Sequence, residues 1–237
     1  MVMAITCAQM IVVYFLSDSS SPPRGLGLFT VYFMAALLGW IAYTLQQGYS
    51  LEMGIDVPTA ASIINSYILF LAMGQRSGIT LGRIPLGGIC LAATLAIFFL
   101  EPGQMFTVHC AVVTLFFLCS AMLALRRSWA ERNIGDAIIA LAAGILVVAL
   151  PAAALRAAQP DGLTMGTAIL FGFYSLTYVL LVVGFLASVL VEYQQHLSAL
   201  ATEDPHRALA WLQMRLQHAH GCILHVVHHR RRAVHAQ

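Results

Sequence analysis

The chain has 237 residues, 60% of them hydrophobic and 9% charged, with a formal net charge of +2. A soluble domain carries about 25% charged residues; this chain lacks the polar side chains to cover a water-facing surface, and its composition fits a bilayer as solvent. So small a charge gives no argument for nucleic acid, and the five cysteines (Cys7, Cys90, Cys110, Cys119 and Cys222) show neither a disulfide framework nor zinc spacing, so no metal site and no cofactor are expected.

The first apolar run, Met3–Leu16, has no basic n-region and no cleavage site before a soluble domain, so a removed signal peptide is not expected. Six further runs follow: Leu26–Leu45, Pro58–Met73, Ile84–Leu100, Gln104–Leu125, Ile134–Leu155 and Met165–Leu190. A spanning helix needs about 20 residues, which leaves the first and third runs short. Breakers stand between runs, at Ser19–Pro23, at Glu101-Pro102-Gly103 and at Gln159-Pro160-Asp161-Gly162. Lipid cannot satisfy free backbone polar groups, so each run is expected to be a helix. The expected fold is all-α, a bundle of seven transmembrane helices with a short cytoplasmic helical tail. A six-span arrangement, with the first run on the membrane surface, stays open.

All twelve basic residues are arginine, and eleven fall in the odd loops and the tail. Only Arg156 falls in an even loop, beside Glu52, Asp56, Glu101 and Asp161. The positive-inside rule therefore predicts an inner (plasma) membrane protein with its N-terminus outside and its C-terminus in the cytoplasm. Asp136 and Glu192 lie near the ends of runs, where capping or snorkelling accounts for them. With no acid or base deep in a span, an ion-coupled transporter is disfavoured. Ala140-x-x-x-Gly144 is a small-residue step of the kind that lets helices approach closely, though an Ala-rich helix contains such steps without purpose.

Polar groups at depth are milder. The third run holds Ser62, Asn65, Ser66 and Tyr67, the fifth His109, Cys110 and Thr114, and the seventh Tyr174, Ser175, Thr177 and Tyr178. Interhelical hydrogen bonding is their default role. The sharper alternative is a small-ligand pocket between helices, lined by Asn65, His109, Tyr174 and Tyr178.

The last run does not stop at the interface. Leu186, Leu190, Tyr193, Leu197 and Leu200 follow at steps of 4, 3, 4 and 3, a heptad seam that leaves the membrane and predicts a homodimer through the seventh helix and its extension. An amphipathic helix end packed on the bundle is the plainer alternative. Asp204 then suits an N-cap and Pro205 a first helical position, starting a second helix that Gly221 would stop.

At this junction Leu200-Ala201-Thr202-Glu203-Asp204-Pro205 resembles the start of the GGDEF domain of membrane-bound diguanylate cyclases, which commonly reads L-A-x-x-D-P-L-T-G-L-x-N-R after a signalling helix. The run from Arg24-Gly25-Leu26 through Gly39-Trp40 is similar to their multi-span sensor regions. The resemblance implies the input half of an enzyme that makes cyclic di-GMP as a dimer. After Pro205 the pattern departs: His206-Arg207-Ala208-Leu209 keeps only the leucine, no GGDEF loop follows, and no catalytic activity is expected of this chain. If His206-Arg207-Ala208 is encoded CAC-CGG-GCN, the frame one base later reads Thr-Gly, so a frameshift is one explanation. The expected organisation is a seven-span domain over residues 1–190, a signalling-helix linker over 191–204, and a degenerate tail over 205–237.

Two rivals come from other classes. A small-solute transporter or channel would use a continuous polar path across the bundle. A metalloenzyme would use the tail histidines His218, His220, His225, His228 and His229, of which His225-Val226-Val227-His228-His229 resembles one box of the membrane desaturases. Those enzymes need several boxes. The arginines at 230–232 suit a solvated tail or contact with anionic lipid.

Overall fold

A computed structural model of the protein describes residues 25–48, 57–159 and 162–203. The apolar run Met3–Leu16, the Asp204-Pro205 junction and the histidine-rich tail lie outside the described residues. Those described form six α-helices and no strand: α1 (Leu26–Gly48), α2 (Val57–Arg76), α3 (Arg83–Ala96), α4 (Pro102–Glu131), α5 (Ile134–Ala157) and α6 (Gly162–Glu203). Five of them, all but α3, are long and apolar enough to cross a membrane.

At 1.5 Å per residue the 23 residues of α1 span about 34 Å and the 24 of α5 about 36 Å, enough for a hydrocarbon core of roughly 30 Å. Helix α3 has 14 residues, about 21 Å. The run Ile84–Leu100 is thus not one full-length helix. Gly82, with φ of 85°, sets its start, and the chain leaves the helix after Ala96 in the turn Ile97–Phe99, before the Pro102 that opens α4. Hydropathy counted the apolar turn residues as helix.

The outward faces are apolar. Leu38, Leu91, Phe99, Leu141, Val148 and Leu155 are all exposed, which water would penalise and acyl chains would not. Together with the five long helices this marks a membrane protein.

Inside, α2 packs on α1, α3 and α4, and α4 packs along α5. The α4–α5 hairpin turns in two residues: Arg132 takes the left-handed conformation (φ 50°), and Asn133 caps α5 by accepting a hydrogen bond from Gly135 N at 3.0 Å. Helix α6 seats against α1 through Phe185, stacked on Phe29 with ring centroids 4.4 Å apart. It meets α5 almost backbone to backbone. A Cβ on Gly135 would lie 2.0 Å from Ser188 N, and one on Gly184 would lie 3.0 Å from Gly135 O, so only glycine fits this crossing. The described residues divide into one unit through Val189 and a second from Leu190.

Candidate functional site

The first half of α6, α1 from Tyr32 onward and the first halves of α2 and α4 line a half-open cavity of about 780 Å³. All four residues singled out from sequence, Asn65, His109, Tyr174 and Tyr178, line it. Two of them are bridged by Ser62, whose Oγ lies 3.0 Å from His109 Nε2 and 3.2 Å from the Tyr174 hydroxyl. One hydroxyl thus ties α2, α4 and α6 together across the cavity wall. Its strength comes from the low-dielectric setting, where an unmade hydrogen bond is costly.

Two other wall groups have no such partner. Asn65 Oδ1 and Thr177 Oγ1 are buried and make no hydrogen bond among the described residues. Thr177 is 1% exposed. A threonine in a helix often bonds the carbonyl four residues back, as Thr94 and Thr114 do here; Thr177 does not.

Aromatic rings supply much of the remaining wall, and, Tyr178 apart, sequence patterning did not single them out. Trp40 meets Phe171 edge to face at 5.1 Å, with Tyr43 at 5.6 Å from the same ring. Further along α6, Tyr178 sits 6.5 Å from Tyr32 and 5.8 Å from Phe33, and Phe33 is 5.9 Å from Phe185. Apart from Tyr178, these rings read in sequence as ordinary apolar residues of a span; only their convergence in space marks them. Among the described residues, no aspartate, glutamate, lysine or arginine lines the cavity.

The opposite end of the bundle carries a cluster that the sequence reading missed. Asp136 does not cap or snorkel: its side chain is 0% exposed and lies between two guanidinium groups. Arg76 Nε donates to Oδ1 at 3.1 Å, and Ser188 Oγ donates to the same oxygen at 2.7 Å. Arg76 also donates to Ser188 Oγ, closing a triangle of α2, α5 and α6. Arg127 Nε stands 3.2 Å from Oδ2, a charge contact whose angle falls short of a hydrogen bond. Arg127 also donates to the Arg76 carbonyl at 2.8 Å and pairs with Glu131 at 2.7 Å. Asn133 Nδ2 donates to Ser188 O at 3.1 Å, so the cap of α5 is tied to α6 as well.

Depth was misjudged because it was counted along α5 alone. Asp136 is the third residue of its helix, but α4 runs on to Glu131 and the tight turn tucks the start of α5 against α6. The available signal was chemical: an acid beside Arg126, Arg127 and Arg132.

The seam residues from Leu186 to Leu200 lie on α6, which is continuous to Glu203. Leu190 is 66% exposed, and Tyr193 and Leu197 are half-buried. The Ala140–Gly144 step faces an apolar groove bounded by Leu118, Met122, Leu141, Val148 and Phe173. A Cβ on Gly144 would meet nothing within 4 Å, so at this glycine the step makes no close helix contact among the described residues. No group of three or more His, Cys, Asp or Glu side chains able to hold a metal occurs among the described residues.

The fold and site therefore define a membrane-type helical bundle with a cavity at one end, uncharged among the described residues, and a buried ion cluster at the other. No family model, curated protein or solved structure matches the chain.

Proposed function

We propose that the chain is a membrane sensory module that receives a small ligand in the cavity and passes the signal along α6. The observation that carries this reading is that one helix serves every part. Helix α6 gives Tyr174, Thr177 and Tyr178 to the cavity, Gly184 to the close crossing, Ser188 to the ion cluster, and then Leu190, Tyr193, Leu197 and Leu200 to the seam. Tyr178 and Ser188 are ten residues apart, about 15 Å along the axis. The contacts from Tyr178 to Phe33 and from Phe33 to Phe185 bridge that interval.

The finer features belong to the same proposal. The run Met3–Leu16 and the short α3 bring the five long helices to seven spans. The arginines of the α2–α3 and α4–α5 turns support a cytoplasmic placement of the ion cluster, hence an outside N-terminus and a cytoplasmic tail in the inner membrane. The Leu200–Pro205 resemblance supports an output that makes cyclic di-GMP, reached through a homodimer of the α6 extension.

The same cavity is what a small-solute transporter would use, so the test separates the two. On a background with the five cysteines replaced, single cysteines are placed at Leu190, Tyr193 and Leu197, and off the seam at Gln194, Gln195 and Ser198. Oxidative cross-linking in native membranes is expected at the seam positions and not at the others. Equal cross-linking around the helix, or none, removes the dimeric signalling seam. Accelerated flux of small neutral solutes into proteoliposomes would favour the transporter.

A further inference from the structure

The chemistry of the cavity wall narrows what can occupy it. An ion is disfavoured, because among the described residues no lining side chain carries a permanent charge and His109 is the one imidazole. A purely apolar occupant is disfavoured by two buried polar atoms that it would leave unsatisfied, Asn65 Oδ1 and Thr177 Oγ1. The Ser62 bridge is already engaged on both sides, with His109 and with Tyr174, so it places no comparable demand on a ligand.

Asn65 Oδ1 is an acceptor and requires a donor. The Thr177 hydroxyl both donates and accepts. A hydroxyl or an amide N–H meets the first requirement, and its own oxygen or carbonyl answers the second. An ether, ester or ketone cannot donate. A carboxylate cannot donate and brings a charge, while an ammonium donates but finds no carboxylate among the described wall residues. The aromatic sides, with Trp40, Phe171 and Tyr178 among them, suit an apolar body.

We infer that the cavity binds an uncharged, mainly apolar molecule bearing a hydroxyl or amide head that donates a hydrogen bond to Asn65. This rests on the cavity being the ligand site of the sensory module and names the class of ligand. A bilayer lipid with a free hydroxyl and a diffusible amphiphile share this chemistry.

The test uses the full chain in phosphatidylcholine nanodiscs, with Trp129 and Trp211 changed to phenylalanine so that Trp40 is the reporter. A second variant keeps Trp129 alone; this residue is 78% exposed and reports simple partitioning of the probe into lipid. The probes are 11-bromoundecanol, its methyl ether, 11-bromoundecanoate and 11-bromoundecylammonium, whose bromine quenches tryptophan on contact. The alcohol is expected to quench Trp40 saturably, at a half-saturation about tenfold or more below that of the ether, with no saturable component from either charged probe. Asn65→Leu is expected to erase the difference between alcohol and ether, with the folding constant changed about fivefold or less, which is about 1 kcal/mol at room temperature.

Dioleoylglycerol in the disc that displaces the alcohol assigns the class to a bilayer lipid, and failure to displace assigns it to a diffusible molecule; either supports the inference. Alcohol and ether saturating alike, or a charged probe matching the alcohol, overturns the class while leaving the cavity a ligand site. No saturable quenching by any probe, unchanged when the exposed wall residue Ala168 is replaced by Phe to fill the space, overturns both.

Discussion

Replacing Asp136 by alanine is expected to destabilise the bundle by about 3–5 kcal/mol. The carboxylate faces Arg76 Nε at 3.1 Å and Arg127 Nε at 3.2 Å with no exposed surface of its own. At an effective dielectric near 20, unit charges about 3 Å apart attract by roughly 5 kcal/mol, a gross figure from which desolvation and repulsion between the two arginines subtract. Arg127 keeps Glu131 at 2.7 Å, but that partner is half in solvent and its attraction is screened. The loss therefore falls mainly on Arg76, which is buried together with its carboxylate partner. Changing Arg76 to methionine alone is expected to cost a similar amount. The double change, Arg76→Met with Asp136→Leu, removes both charges, and its cost is expected to fall short of the sum of the singles by about 2 kcal/mol or more. Equilibrium unfolding by SDS in mixed micelles, followed by far-UV circular dichroism, measures all of these. A single Asp136→Ala variant within about 1 kcal/mol of the parent, or strict additivity in the cycle, would refute the claim that the cluster is a coupled buried ion network.

Two further outcomes follow from glycine contacts. Gly135→Ala puts a methyl into the α6 backbone, 2.0 Å from Ser188 N, and is expected to cost 3 kcal/mol or more, whereas Gly144→Ala meets nothing within 4 Å and is expected to be neutral or to gain up to about 1 kcal/mol from helix propensity; SDS unfolding of the two variants checks the contrast. Gly87→Ala brings a Cβ to 2.8 Å from the Tyr67 hydroxyl, which itself donates to Arg83 O at 2.8 Å. The alanine is expected to cost about 1 kcal/mol by breaking that bond, and a Tyr67→Phe background is expected to remove the penalty, read as a double-mutant cycle in the same assay.

Hydropathy located the long helices because each apolar run has to satisfy its own backbone in lipid. The runs Leu26–Leu45 and Pro58–Met73 became Leu26–Gly48 and Val57–Arg76, within a few residues. The last run overran its lipid-sized length, continuing to Glu203, since Val191–Glu203 contains no glycine or proline to stop it. The grouping of Asn65, His109, Tyr174 and Tyr178 around one cavity was legible because three polar stretches stood out against otherwise apolar spans. Trp40 and Phe171 were not, since an aromatic ring in a span has no period or charge to distinguish a cavity wall from a lipid face. Asp136 was lost for a different reason. Its burial depends on the Arg132-Asn133 turn and on Arg76 from a distant helix, and neither relation is written in the local pattern around residue 136.

The two ends of the bundle also bear on which class of membrane protein this geometry favours. A transporter has to open the cavity first to one side and then to the other. Opening the end opposite the cavity would separate Asp136 from Arg76, Ser188 from both, and Asn133 from the Ser188 carbonyl, and would part a crossing where α5 and α6 are already in backbone contact. Each of those groups would then need water or a new partner, and the exposed carboxylate and guanidinium would gain solvation only after the whole cluster had come apart. A sensor needs less. A turn or tilt of α6 about the Gly135–Gly184 crossing has only the Ile139 side chain to slide past there, since neither glycine has one, and it would exchange the contacts of Ser188 with Asp136 and Arg76 for others. A ligand biases that equilibrium only by its difference in affinity for the two arrangements. Tyr174, Thr177 and Tyr178, which lie six to ten residues before Gly184 on the same helix, are placed to supply that difference. On the proposed sensory reading, the cavity and the cluster act as two loads on one lever, α6.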